Sequence, residues 1–135
     1  MPVVLQPVTA PSEQDLLDLG KIYNDYPSDL QWPELQQQLE NQPETTLYGA
    51  LFNGRLIGAL TVTDQGDSAE LDHLCVRSVT RRRGVGREMI RQLLTKTAFA
   101  SFTLHTDSNN EALQAFLNHT GFQQNGNCFR LNRAT

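Results

Sequence analysis

Hydrophobic and polar positions along the chain switch repeatedly between a period of two and a period near 3.6. Residues 3 to 8, VVLQPV, read as a short strand that ends at Pro7 and turns by Pro11. In SEQDLLDLGKIY, Ser12 and Asp15 have the spacing of a capping box. Leu16, Leu19 and Tyr23, flanked by Leu17 and Ile22, make the stripe of an amphipathic helix. A short polar helix is predicted from Pro33 to just before Pro43. TTLYGALFNGRLIGALTVT then holds two β-type runs around Asn53-Gly54, whose readiness for positive φ favours a two-residue hairpin turn. After a polar turn over 64–68, ELDHLCVRSV reads as a third strand. Strict alternation puts Leu74 and Val76 on one face and Leu71 and Cys75 on the other, so the strand is predicted to be central and covered on both sides.

Beyond that strand, Val85, Met89, Ile90, Leu93 and Leu94 fall at helical spacing, so Gly84 and Gly86 sit where a strand hands over to a helix. SFTLHT is a strand, and SNNEALQAFLNHTGF is a helix capped by Ser108 or Asn109 and stopped by Gly121. CFRLNR closes the chain as a strand. The order predicts an α/β fold with a mixed central β-sheet flanked by helices on both faces. Adjacent strands joined through a helix are expected to be parallel, and hairpin strands antiparallel.

At 135 residues and 15.2 kDa, the chain (1–135) is expected to be a single domain that buries a core without disulfides or metals. No apolar run approaches the roughly 18 residues that span a bilayer. The start, MPVVLQPVTAPSEQ, lacks the basic and apolar regions of a secretory signal, so a cytoplasmic location is expected and no membrane partner. Cys75 and Cys128 lack metal-ligand spacing and read as reduced packing residues, leaving no metal site.

Charge divides the chain. Residues 1–72 carry 12 acids and 2 bases (net −10), whereas 73–135 carry 3 acids and 9 bases (net +6). Between Arg77 and Arg91 stand six arginines and a single acid, Glu88. Such a block attracts an anion or merely solvates the surface. A nucleic-acid partner is disfavoured by the net charge of −4 and by the lack of interleaved exposed aromatics.

Within that block, Arg81-Arg82-Arg83-Gly84-Val85-Gly86 joins a strand to a helix. Glycines let the backbone turn sharply and approach a phosphate, and the first amides of the helix lie at the positive end of its dipole. Arginines add charge that can bridge a pyrophosphate. A Gly-x-Gly turn alone also arises for conformational reasons. The P-loop spacing and its lysine are missing, and Met89 breaks the Gly-x-Gly-x-x-Gly of a dinucleotide fold.

Arg-x-x-Gly-x-Gly after a strand resembles the pyrophosphate signature of the GNAT (GCN5-related N-acetyltransferase) superfamily. Val76, Arg81, Gly84 and Gly86 are in register, with Ser78 where the family has proline. The second family motif, N-x-x-A-x-x-F-Y-x-x-x-G-F, is matched by Asn109, Ala112, Phe116, Gly121 and Phe122. Most of the chain is covered, and the resemblance implies the single-domain GNAT fold and acetyl-CoA or CoA as ligand. It places Leu74, Cys75 and Val76 on the pantetheine arm. Thr80, Arg81, Arg82, Arg83, Gly84, Val85, Gly86 and Arg87 would lie around the pyrophosphate, with Asn109 on the same ligand.

GNAT enzymes commonly use the tyrosine of the second motif to protonate the leaving thiolate, and here that position is Leu117. Glu70, Asp72 and His73 are base candidates, with His105 and His119 weaker ones, and no residue is assigned as catalytic. LDHLCVRSVTRRRGVG more narrowly resembles the GNAT-like maturation factor family of aspartate 1-decarboxylase, although Leu51 stands where that family is expected to have an arginine. That resemblance implies an aspartate 1-decarboxylase proenzyme as partner, whose maturation the ligand-bound domain promotes. It also implies a role in pantothenate and CoA supply. The alternative is an N-acetyltransferase acting on a small amine or protein amino group.

Overall fold

The computed structural model describes residues 3–24, 26, 30–77, 84–107 and 110–133. Its strands and helices follow the order β1 (Val4–Pro7), α1 (Glu13–Asn24), α2 (Trp32–Glu40), β2 (Thr45–Phe52), β3 (Arg55–Asp64), β4 (Ser68–Val76), α3 (Val85–Lys96), β5 (Ser101–His105), α4 (Glu111–His119), β6 (Gln123–Asn125) and β7 (Cys128–Asn132). The capping box forms as its spacing predicts. Ser12 Oγ accepts from the Asp15 amide, and Asp15 Oδ2 from the Ser12 amide, each at 3.1 Å. Asn53 and Gly54 take φ of 52° and 78°, so both central residues of the hairpin turn are left-handed.

One seven-stranded sheet results, in the order β1-β2-β3-β4-β5-β7-β6, with β4 at its centre. Two apolar clusters cover its faces. Val85, Met89, Ile90 and Leu93 of α3 and Leu117 of α4 pack with Leu60, Leu71, Phe102, Leu104 and Phe129 on one side. Leu19, Ile22 and Tyr23 of α1 and Trp32 and Leu35 of α2 pack with Leu47, Leu56, Ala59 and Cys75 on the other. Burying a sheet on both faces explains the unbroken run of buried residues from Leu56 to Val62 in β3.

Three expectations are corrected. Of the neighbouring strands joined through helices, only β4 and β5 are parallel. The chain passes through both α1 and α2 before entering β2, which lies antiparallel to β1. It leaves α4 into β6, a polar edge strand that the pattern did not reveal, and β7 then inserts antiparallel between β6 and β5. The strict alternation assumed for β4 also fails. Leu71, Leu74 and Val76 share the α3/α4 face, and Cys75 alone packs on the α1/α2 face.

Asp18 of α1, an acid the sequence pattern did not single out, is 1% exposed. Its carboxylate accepts from Arg55 Nη2 at 2.6 Å, from the Leu56 amide at 3.1 Å and from Gln14 Nε2 at 3.1 Å. Burial pushes its pKa up, and these donors outweigh burial and hold it below the ordinary value. The clamp ties α1 to the start of β3, so it stabilises the fold above the unfolded carboxyl range and is lost as pH falls through the folded value.

Candidate functional site

The failure of alternation in β4 creates the site. Ala59 faces Cys75 and Thr61 faces Asp72 across the β3–β4 ladder, so His73 and Leu74 together oppose Leu60. This is a β-bulge, and His73 carries it with φ of 53°, a left-handed conformation uncommon outside glycine. Several bonds hold it. The Tyr23 hydroxyl donates to the His73 carbonyl at 2.8 Å, and Thr61 Oγ1 lies 2.9 Å from His73 Nδ1 and 3.2 Å from the Asp72 carbonyl oxygen. The Asp72 carboxylate accepts from the His73 amide at 2.7 Å, and Cys75 Sγ donates to the Ile22 carbonyl at 3.2 Å. Burial drives the Tyr23 phenol pKa well above its usual value, so the hydroxyl remains a donor at neutral pH.

On its other edge, β4 runs in register with β5 only from Ser68↔Ser101 to Leu71↔Leu104. Past that point β5 reaches only His105, which pairs with Cys128 of β7, while β4 continues to Val76 alongside β3. Two parallel strands that pair at one end and part at the other leave an opening. Leu74, Cys75 and Val76 form its β4 edge.

At the far end of β4, Gly84 caps α3 with φ of 78° and ψ of 12°, and the Glu88 amide makes the first intrahelical bond, to the Gly84 carbonyl at 3.0 Å. The amides of Val85, Gly86 and Arg87 therefore precede the helix's own hydrogen bonding, at the positive end of its dipole. Gly84 has open space around a would-be side chain, so backbone conformation is what selects glycine there. Gly86 is selected differently. A Cβ on it would stand 3.0 Å from Cζ and 3.1 Å from Cε1 of Phe116 in α4. The two sequence motifs thus touch each other. Glu88, the single acid of the arginine block, is bound by Arg91, whose Nε lies 2.9 Å from each carboxylate oxygen. Its pKa is lowered to about 2, chiefly by that pairing and then by Gln92.

Of the residues predicted for the ligand, Leu74, Cys75, Val76, Gly84, Val85, Gly86 and Arg87 are described, and they border this opening and the helix start beyond it. Thr80, Arg81, Arg82, Arg83 and Asn109 lie outside the described residues, as do Ser78 and Ser108. The cap of α4 falls one residue later than expected: Asn110 Oδ1 accepts from the Leu113 amide at 3.2 Å. Asn110, rather than Asn109, also has the motif spacing to Gly121 and Phe122. Leu117, at the tyrosine position, is fully buried in the α3/α4 cluster.

The base candidates gather elsewhere. Glu70, Asp72 and His73 line a cavity of about 390 Å³ beneath α2, with Glu44, Gln38 and Thr63 among its other polar walls. The His73 ring is 3.8 Å from Asp72 at Nε2, while His105 and His119 are exposed and outside it. Nothing in the sequence pattern marked Thr106, which directly follows β5. It is buried, and its hydroxyl has no hydrogen-bond partner among the described residues. Among these residues no cluster of His, Cys, Asp or Glu is suited to a metal, and no helix is long and apolar enough to cross a membrane.

Comparison with known proteins bears on this geometry. Residues 2–130 match the family model described as an acetyltransferase (GNAT) domain, PanZ. The PanD regulatory factor of Escherichia coli is 38% identical over 121 residues, which cover 85% of this chain and 88% of that protein. That of Salmonella typhimurium is 36% identical over 115 residues, covering 82% and 84%. The Escherichia coli N-acetyltransferase-like protein YhhK, solved in solution bound to coenzyme A, superposes with a TM-score of 0.76. It is 30% identical, and the match covers 98% of this chain and all of that one.

Proposed function

We propose, for a chain that belongs to the PanZ family of acetyltransferase (GNAT) domains, that it binds acetyl-CoA or CoA and regulates PanD. In this reading it grips the aspartate 1-decarboxylase proenzyme in the cytoplasm and promotes the backbone cleavage that matures it. The observation that supports the ligand half is that β4 runs on past the end of its pairing with β5, with the glycine-capped α3 as the next described element of the chain.

The donor set fits CoA. An extended, amide-bearing arm matches a strand edge that runs past its neighbour, and a pyrophosphate matches helix-start amides. The backbone of Leu74, Cys75 and Val76 lies along the arm. Val85, Gly86 and Arg87 face the phosphates, with Thr80, Arg81, Arg82 and Arg83 supplying the preceding loop. When bound, the coenzyme supplies polar arm and phosphate surface. Only contacts with PanD that differ between the bound and free states link ligand to partner affinity.

Leu117 supports regulation over catalysis, because a buried alkyl side chain neither donates nor accepts a proton. The cavity with Glu44, Glu70 and Asp72 favours a second reading, transfer of acetyl to a cationic amine. One experiment separates them. The purified PanD proenzyme is mixed with this protein, with and without acetyl-CoA, while chain cleavage and free thiol release with an amine panel are both followed. Accelerated cleavage without amine-dependent thiol release is expected. Amine-dependent turnover with no effect on cleavage would establish the second reading.

A further inference from the structure

The β4 bulge is gripped from outside the sheet. Tyr23 lies in the last turn of α1, 50 residues from His73 in sequence, and its hydroxyl donates to the His73 carbonyl at 2.8 Å. A return contact runs from Cys75, whose Sγ donates to the Ile22 carbonyl at 3.2 Å. That carbonyl is among the last four of α1, which a helix end leaves without an internal partner. The end of α1 and the bulge thus satisfy each other's backbone. Tyr23 is fully buried, and its ring stacks on Trp32 with centroids 6.0 Å apart and meets Tyr26 edge-on at 5.7 Å, so the position of its hydroxyl is fixed by packing.

His73 needs that hold. A non-glycine residue at φ of 53° is strained and persists only where its surroundings impose the conformation. Relaxing it removes the extra residue that β4 places opposite Leu60, and side chains and peptide groups along a strand alternate with a period of two. The one-residue slip that follows exchanges the peptide groups of Leu74 to Val76 that face β3 with those that face away from it. The bulge therefore decides which amides and carbonyls β4 presents past the end of its pairing with β5.

We propose that Tyr23 is a positioning residue for the coenzyme: through the His73 carbonyl it sets the register in which Leu74, Cys75 and Val76 meet the ligand. Being fully buried, it acts without touching the ligand itself. This rests on the coenzyme reading above. Thr61 works on the same bulge from within the sheet, whereas Tyr23 ties it to α1, so the helix layer on one face of the sheet governs affinity at a strand edge.

Tyr23→Phe removes the hydroxyl and keeps the ring. Titration calorimetry of the full chain should show affinity for CoA and acetyl-CoA falling together by about threefold, because a share of the molecules now holds β4 in the slipped register. His73→Gly takes the left-handed conformation without strain, so in that background the same Tyr23→Phe change should cost no affinity. Leu47→Val, which trims the same α1/α2 cluster, should lower the melting temperature and leave affinity at the wild-type value. Unchanged affinity in Tyr23→Phe overturns the proposal. So does an equal loss with and without His73→Gly, or an equal loss in Leu47→Val, since Tyr23 would then act on stability alone. A wild-type chain that binds neither ligand overturns the coenzyme reading, and the proposal with it.

Discussion

The two halves of β4 are one continuous strand and do different work. From Ser68 to Leu71 it is paired on both edges, with β3 and β5, and its apolar residues are fully buried. From Asp72 to Val76 the β5 register is gone, a left-handed residue interrupts the ladder, and Leu74 and Val76 are only half-buried. The lower half is therefore a stability element, and the upper half is held by α1 and β3 rather than by β5. The bulge is what permits the change. It keeps Leu74 and Val76 on the α3/α4 face, and Tyr23 and Thr61 hold it in that form.

Substitutions in the two halves should separate stability from ligand affinity. The largest effect is expected at Leu71, which is 1% exposed in the α3/α4 cluster. Leu71→Ala should cost about 2–5 kcal/mol of unfolding free energy. Val76→Ala should cost roughly 1 kcal/mol or less, because it frees less buried area. Chemical denaturation of both variants checks this, and equal losses would erase the distinction between the halves.

Gly84 comes next, with room for a side chain but φ of 78°. Forcing a β-branched residue into that conformation costs about 1–2 kcal/mol, so Gly84→Val should weaken acetyl-CoA binding roughly tenfold. Unfolding free energy should fall by no more than that strain. The smallest effect is expected at Gly86. A methyl there presses on the Phe116 ring, and Gly86→Ala should cost about 1 kcal/mol in stability, with a matching loss of CoA affinity. Combining it with Phe116→Leu, which removes the ring, should recover most of both. If the double variant is no better than the single one, the contact between the two motifs is not what selects glycine at this position.

Much of this arrangement was legible in the sequence wherever local chemistry decides structure. Ser12 and Asp15 cap α1, Asn53-Gly54 turns the hairpin, and the strand, glycine pair and helix follow in the predicted order. Legibility ended where tertiary context decides. No sequence pattern announces that His73 adopts positive φ, and alternation carried past it assigns Leu71 and Leu74 to opposite faces. Gln123 to Asn125 form a strand because β7 offers an edge, not because their side chains are buried; all three are exposed. Asp18 reads as a surface acid until Arg55, 37 residues away in sequence, closes on it. Thr106 carries no motif at all, and only its burial without a partner distinguishes it.

The central claim is that the upper half of β4 and the start of α3 receive one coenzyme. Titrating acetyl-CoA into isotope-labelled protein and following backbone amide resonances tests it most directly. The account predicts that the amides of Leu74 to Val76 and Val85 to Arg87 shift strongly, while those of Ser68 to Leu71 stay close to their free positions. Shifts concentrated instead on Gln38, Thr63 and Glu70, which line the cavity beneath α2, would contradict it.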